Sequence, residues 1–121
     1  MGVDLKAVQA LDLWRRAIVE SVRRDEPDLS ARQMAILLTV YLSPPPHTVR
    51  GLAALLKVSK PAITRALDRL GAHGLAKRKV DDADKRSILV QRTVKGSVFL
   101  REFGDIIVEA AGKAEPPGMT A

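Results

Sequence analysis

The side chains with chemistry to offer are cations and short hydroxyls, gathered in two neighbouring stretches. In TVRGLAALLKVSKPAITRALDRL (residues 48–70), helical spacing turns Ile63, Leu67 and Leu70 to one side. It leaves Ser59, Lys60, Pro61, Thr64, Arg65, Asp68 and Arg69 on the other. Short groups at a helix start with long cations behind them suit hydrogen bonding to base edges and charge pairing with phosphate. The helix N-terminus adds a dipole that favours an anion. The second stretch, KRKVDDADKRSILV (residues 77–90), places Lys85 and Arg86 at the far end of an acidic turn. Bond-making chemistry finds little support. His47 and His73, the two histidines, lack ligand-like spacing and read as structural. There is no cysteine, so thiolate metal sites and thiol redox sensing are excluded. No Ser/His/Asp set, paired carboxylates or Gly-rich phosphate loop stands out. The expectation is a protein that is not an enzyme and holds neither metal nor cofactor.

The charge distribution agrees with an anionic partner. Residues 1–40 balance, residues 41–100 carry twelve Lys/Arg against four Asp/Glu, and residues 101–121 are net −2. A net charge of +6 focused on the middle of the chain suits a polyanion, nucleic acid first. At 121 residues one domain is expected, over residues 1–112, with a flexible tail at 113–121. The opening residues do not read as a signal peptide, and no run is long and apolar enough for a membrane span, so a soluble cytoplasmic protein is expected.

The elements that must position the cations are mostly helical. A first helix is expected from about Asp4 to Arg24, capped by Asp4 with Val3 and Val8 as a hydrophobic staple. It carries one apolar strip of Leu11, Trp14, Ile18 and Val22 and another of Ala7, Ala10, Leu13 and Ala17. One strip would face its own core and the other a partner chain. Ser30 and Gln33 form a capping box for a second, central helix, which SPPPH ends at residues 43–47. Thr48 caps a short helix over about Arg50–Leu56, with Leu52, Leu55, Leu56 and Val58 pointing inward. Ser59 caps the next, which runs to Ala72 and is ended by Gly71 and Gly74. The period then changes to that of a hairpin, Ala76–Val80 and Ser87–Thr93. Thr93 caps a last helix, with Val98, Phe99, Phe103, Ile106, Ile107 and Ala110 along one side and Gly112 at its end.

Two helices joined by a short turn and followed by a charged hairpin describe a winged helix-turn-helix. The fold class is thus mostly α with a small β-hairpin wing (α+β). The stretch LAALLKVSKPAITRALDRLGAHGLAKRKVDDADKRSILVQRTVKG resembles the DNA-binding core of the MarR family of transcriptional regulators, over roughly Leu29–Gly96. Its most specific element is the wing, DDADKRSILV followed by T..G. The resemblance implies a core at residues 29–93 on a dimer built from helices at 1–25 and 94–112. It implies that residues 59–72 enter the major groove and that a wing at 81–86 reaches the minor groove. Arg86 then matches the wing arginine, and Asp84 the carboxylate that orients it.

The expected function is that of a homodimeric, sequence-specific regulator of transcription, a repressor, on a palindromic double-stranded operator. Lys60, Thr64 and Arg65 are expected at base edges, alongside Ser59 and Pro61 at the helix start. Arg50, Arg69, Lys77, Arg78 and Lys85 are expected at phosphates, and Leu11, Trp14, Ile18, Phe103 and Ile107 in the dimer interface. Some regulators of this family bind small aromatic effectors; the residues here point neither towards one nor away. Two alternatives are a winged helix that binds protein and a non-specific coat on DNA. The cationic outer face, which lacks apolar anchors, favours DNA over protein. Two positions depart from the family's pattern. Lys57 takes a turn position where many such motifs carry glycine, which asks for a left-handed backbone or a different turn. Arg92 replaces an apolar residue and reads as an extra phosphate contact or a strand-edge charge.

Overall fold

A computed structural model describes residues 5–114. Its elements are α1 (Ala7–Arg23), α2 (Ala31–Leu42), α3 (Val49–Leu56), α4 (Lys60–Ala72), β1 (Ala76–Val80), β2 (Ile88–Arg92) and α5 (Val94–Lys113). The fold class is as expected. The caps proposed for α1 at Asp4 and Val3 lie outside the described residues, as does all of the tail beyond residue 114. The described chain divides into two units, one formed by residues 29–100 and one by residues 5–28 with 101–114.

The unit at residues 29–100 is built around α2. Ser30 Oγ accepts the Gln33 N–H at 3.1 Å, and Gln33 Oε1 accepts the Ser30 N–H at 2.9 Å. This closed box starts a helix whose Ile36, Leu37 and Val40 are fully buried. Around them pack Leu52 from α3, Ile63, Leu67 and Leu70 from α4, Leu75, Val90 from β2 and Phe99 from α5. Each such side chain removed from water contributes about 1.5–3 kcal/mol. Two positions expected on inner sides turn outward. Leu55 is 61% exposed, and Val98 is also exposed. In the two-turn helix α3, the inward side is taken by Leu52, Ala53 and Leu56, and Leu55 falls opposite.

The hairpin is antiparallel, with Ala76 opposite Arg92 and Val80 opposite Ile88. It is tied to the segment before α3 by a Thr48–Leu89 bridge and by the Val90 N–H donating to His47 O at 2.8 Å. Gly71 lies inside α4 rather than at its end. The reversal into β1 is made by Gly74, whose φ of +73° only glycine adopts without cost.

A half-buried polar node closes this unit. The Tyr41 hydroxyl accepts the Thr93 N–H at 2.8 Å and donates to Leu75 O at 2.8 Å. Thr93 Oγ1 donates to Gly74 O at 2.7 Å and accepts the Gly96 N–H at 2.9 Å, which caps α5. A Cβ at Gly96 would run into the Tyr41 hydroxyl and the Leu75 carbonyl. That close approach is a physical reason for glycine three residues after the cap. Arg92 has a structural role within this unit. Its Nε donates to Val40 O at 2.9 Å, its Nη2 donates to Ser43 O at 3.1 Å, and its guanidinium lies 5.7 Å from the Tyr41 ring centroid. It satisfies C-terminal carbonyls of α2, where the macrodipole favours a cation.

The other unit pairs α1 with the second half of α5. Trp14 meets Phe103 edge-on, with ring centroids 6.3 Å apart, and Arg24 Nη2 donates to Glu102 Oε2 at 2.8 Å. Near the end of α5, a hydrogen bond from Lys113 holds the Glu109 carboxyl below its ordinary pKa. Helix α5 ends at Lys113, one residue past the expected Gly112.

Candidate nucleic-acid interface

Helix α4 presents its cations because its other side is fully committed. Ala62, Ile63, Ala66, Leu67 and Leu70 are buried, which leaves Lys60, Pro61, Thr64, Arg65, Asp68 and Arg69 outward and exposed. The helix starts where expected. Ser59 Oγ accepts the Ala62 N–H at 3.2 Å, so this hydroxyl is engaged as a cap and keeps its proton and one lone pair for outward contacts. Pro61 falls in the first turn, where a missing N–H removes no intrahelical bond.

The turn into α4 resolves the question raised by Lys57. Its backbone is left-handed, with φ 56° and ψ 45°, and its N–H caps the carbonyls that end α3. A lysine there bears about 1–2 kcal/mol of steric cost that glycine would not. Arg50 is exposed on the first turn of α3, which begins at Thr48, whose Oγ1 accepts the Gly51 N–H at 2.9 Å.

The hairpin supplies the remaining cations. Lys77 and Arg78 are exposed on β1. Arg78 Nη2 donates to Asp68 Oδ1 on α4 at 2.6 Å, a cross-link that the sequence expectations did not include. Lys79 approaches Asp82 at 3.8 Å. At the tip, Asp81 Oδ1 accepts the Ala83 N–H at 2.9 Å and Asp84 Oδ1 accepts the Arg86 N–H at 3.1 Å. Asp84 Oδ1 also lies 3.4 Å from Arg86 Nε. The acidic residues thus shape the turn, each carboxylate replacing a backbone acceptor. Asp84 also touches the arginine it was expected to orient. The Arg86 side chain is 91% exposed, so this contact leaves the guanidinium open to water. Lys85 is exposed beside it.

In the unit at residues 5–28 and 101–114, Leu11, Trp14 and Ile18 are exposed along α1, and Ile107 is half-buried. Phe103 differs from the others expected beside it. It is only 5% exposed, packed against Trp14, and so supports that apolar strip from within its own unit. Beneath the strip, Asp12 is buried and holds Arg15 at 2.8 Å and Arg16 at 3.0 Å.

The long-range roles of Tyr41, Arg92 and the Asp68–Arg78 pair were not anticipated. Tyr41 carried a faint signal, as the single tyrosine of the chain within an apolar helix, where a buried hydroxyl needs a partner. The other two had none. Among the described residues, no group of three or more His, Cys, Asp or Glu could hold a metal ion, and no helix is long and apolar enough to cross a membrane.

Residues 28–87 match the model of the MarR family, a span that takes in α2, α3, α4, β1 and the wing loop. Among solved structures, the chain is similar to the transcriptional regulator BldR from Sulfolobus solfataricus. That match has 29% identity and a TM-score of 0.62, covering 86% of this chain and 75% of that one. The MepR–DNA complex from S. aureus matches with a TM-score of 0.69 and 22% identity, covering 83% of this chain and 79% of the other. A MarR transcriptional regulator from Methanosarcina mazei matches with a TM-score of 0.63 and 22% identity, covering 87% and 71%. At 22% identity these last two speak for the fold.

Proposed function

Since the chain belongs to the MarR family through residues 28–87, we propose that it is a transcription regulator that binds double-stranded DNA as a homodimer. Helix α4 enters the major groove, with Lys60, Thr64 and Arg65 at base edges beside Ser59 and Pro61. Arg50, Arg69, Lys77, Arg78 and Lys85 lie along phosphates. The wing at 81–86 brings Arg86 to the adjacent minor groove, whose narrow stretches concentrate negative potential. The observation that carries this reading is the two-sided character of α4. Its inner side is closed on the core, and its outer side offers hydroxyl and cationic groups without an apolar anchor. A protein-binding version of the same helix would need such anchors. The relative whose structure contains DNA supports the reading through its shared fold.

Two copies give two recognition helices, and a two-fold protein asks for a palindromic operator with half-sites about one helical turn apart. The exposed Leu11, Trp14 and Ile18 of α1, with Ile107 of α5, form the apolar strip that the second copy covers. Repression is the simplest output, because a dimer seated over a promoter excludes polymerase without any further contact. The protein acts in the compartment that holds the DNA, read here as the cytoplasm.

Binding to a labelled duplex from upstream of the protein's own coding sequence tests this. It is compared with a scrambled duplex of equal length across a salt series. Arg86→Ala is expected to weaken binding to the native duplex about tenfold, the scale of one lost charge-assisted contact. Equal, salt-sensitive binding to both duplexes would favour non-specific coating. No binding to either at low salt would turn the search to protein partners.

A further inference from the structure

Resting on that DNA-binding reading, we propose that Asp68 is a positioning residue for Arg78. It holds the guanidinium against the third turn of α4, so that its remaining N–H groups meet one backbone phosphate beside the groove.

A carboxylate on the exposed side of α4 needs a reason, because it faces a polyanion and repels it. Asp68 follows Arg65 by three residues and Thr64 by four, so it shares their outer side. At 1.5 Å per residue it lies about 12 Å along the helix from Lys60. That is beyond the N-terminal turns that reach base edges, and level with the sugar–phosphate wall. Its partner is Arg78 on β1, at 2.6 Å through a single nitrogen. A guanidinium has five N–H donors in a fixed fork, so one bond leaves the rest to point elsewhere.

The pair adds little to stability, since both side chains are partly open to water, at 60% for Asp68 and 37% for Arg78. What it fixes is geometry. An arginine already held in its bound rotamer loses less freedom on meeting phosphate. The wing tip shows the same device, with Asp84 beside Arg86. The two arginines differ in reach, because Arg78 lies along the helix–hairpin junction while Arg86 stands exposed at the tip.

The sign of one substitution separates positioning from plain charge. Simple electrostatics says that deleting a carboxylate from a DNA-facing surface tightens binding. Positioning says that it loosens. Anisotropy with the native and scrambled duplexes would compare the full-length wild type, Asp68→Ala, Arg78→Met and the double variant across a salt series. Asp68→Ala is expected to weaken binding about two- to tenfold, the scale of one rotamer-rich side chain set free. Arg78→Met should weaken it too and reduce the salt slope by about 1. The double variant should bind no more weakly than Arg78→Met alone, because Asp68 acts only through that arginine. Asp68→Asn, which keeps an acceptor oxygen, should recover part of the loss. Thermal melting of all variants reads folding separately.

Unchanged or tighter binding by Asp68→Ala overturns the proposal, as does a loss that persists undiminished in the Arg78→Met background. Wild type that binds neither duplex at low salt defeats the DNA-binding reading itself and the proposal with it.

Discussion

Helices α1 and α4 are both two-sided, and they are built in opposite senses. Helix α4 buries Ala62, Ile63, Ala66, Leu67 and Leu70 and shows cations to water. Helix α1 buries Asp12 and Ala17 and shows Leu11, Trp14, Ile18 and Val22. The first arrangement is complete as it stands, since every costly surface is covered and the polar side is solvated. The second is not, because it leaves its larger apolar side chains in water over a charge that needs Arg15 and Arg16 to neutralise it. A chain that keeps such a strip has a use for it, and a second copy is the simplest cover. Under the proposed function the two helices take separate tasks: α4 meets the anion with a finished surface, and α1 is finished by a protein surface.

The contrast breaks most readily at the side of α4 that faces inward. Leu67→Ala should cost about 2–5 kcal/mol of unfolding free energy, from lost burial and the cavity left behind. Denaturant titration would read it, and a loss below 1 kcal/mol would mean that α4 is not anchored as described. On α1 the opposite side should matter. Ile18→Asp places a charge in the apolar strip and should weaken self-association by about 2 kcal/mol or more, roughly thirtyfold, while leaving the monomer folded. Sedimentation equilibrium measures this directly. An unchanged association constant would remove α1 from the interface. The smallest effect lies at the turn before α4. Lys57→Gly relieves the left-handed lysine and should gain about 0.5–1 kcal/mol of stability, after the added freedom of glycine in the unfolded chain is counted. A loss there would mean that the lysine side chain makes up for its backbone.

What the sequence made legible was local. The caps at Ser30, Thr48, Ser59 and Thr93 each act within three residues, and each stands where its residue type placed it. The inner side of α4 and the bounds of β1 followed from period. The outward turn of Leu55 was hidden because two helical turns hold too few apolar positions to define a face. The role of Arg92 was hidden for a different reason. Its acceptors, Val40 O and Ser43 O, lie 52 and 49 residues away, and no spacing rule links a strand-edge arginine to the end of a helix. The Asp68–Arg78 pair joins a helix to a strand across the turn at Gly74, so neither periodicity shows it.

The Tyr41 node has a consequence in the order of synthesis. The ribosome delivers Tyr41 first, Leu75 later and Thr93 later still, and the hydroxyl has both partners only when the last of them emerges. Helices α2, α3 and α4 can collapse on one another while the chain is still growing, because their contacts are already present. The clasp that sets where α5 departs waits for β2. Thr93 is therefore a finishing residue, and a nascent chain stopped short of it holds a half-buried tyrosine with Leu75 O as its one partner in this node.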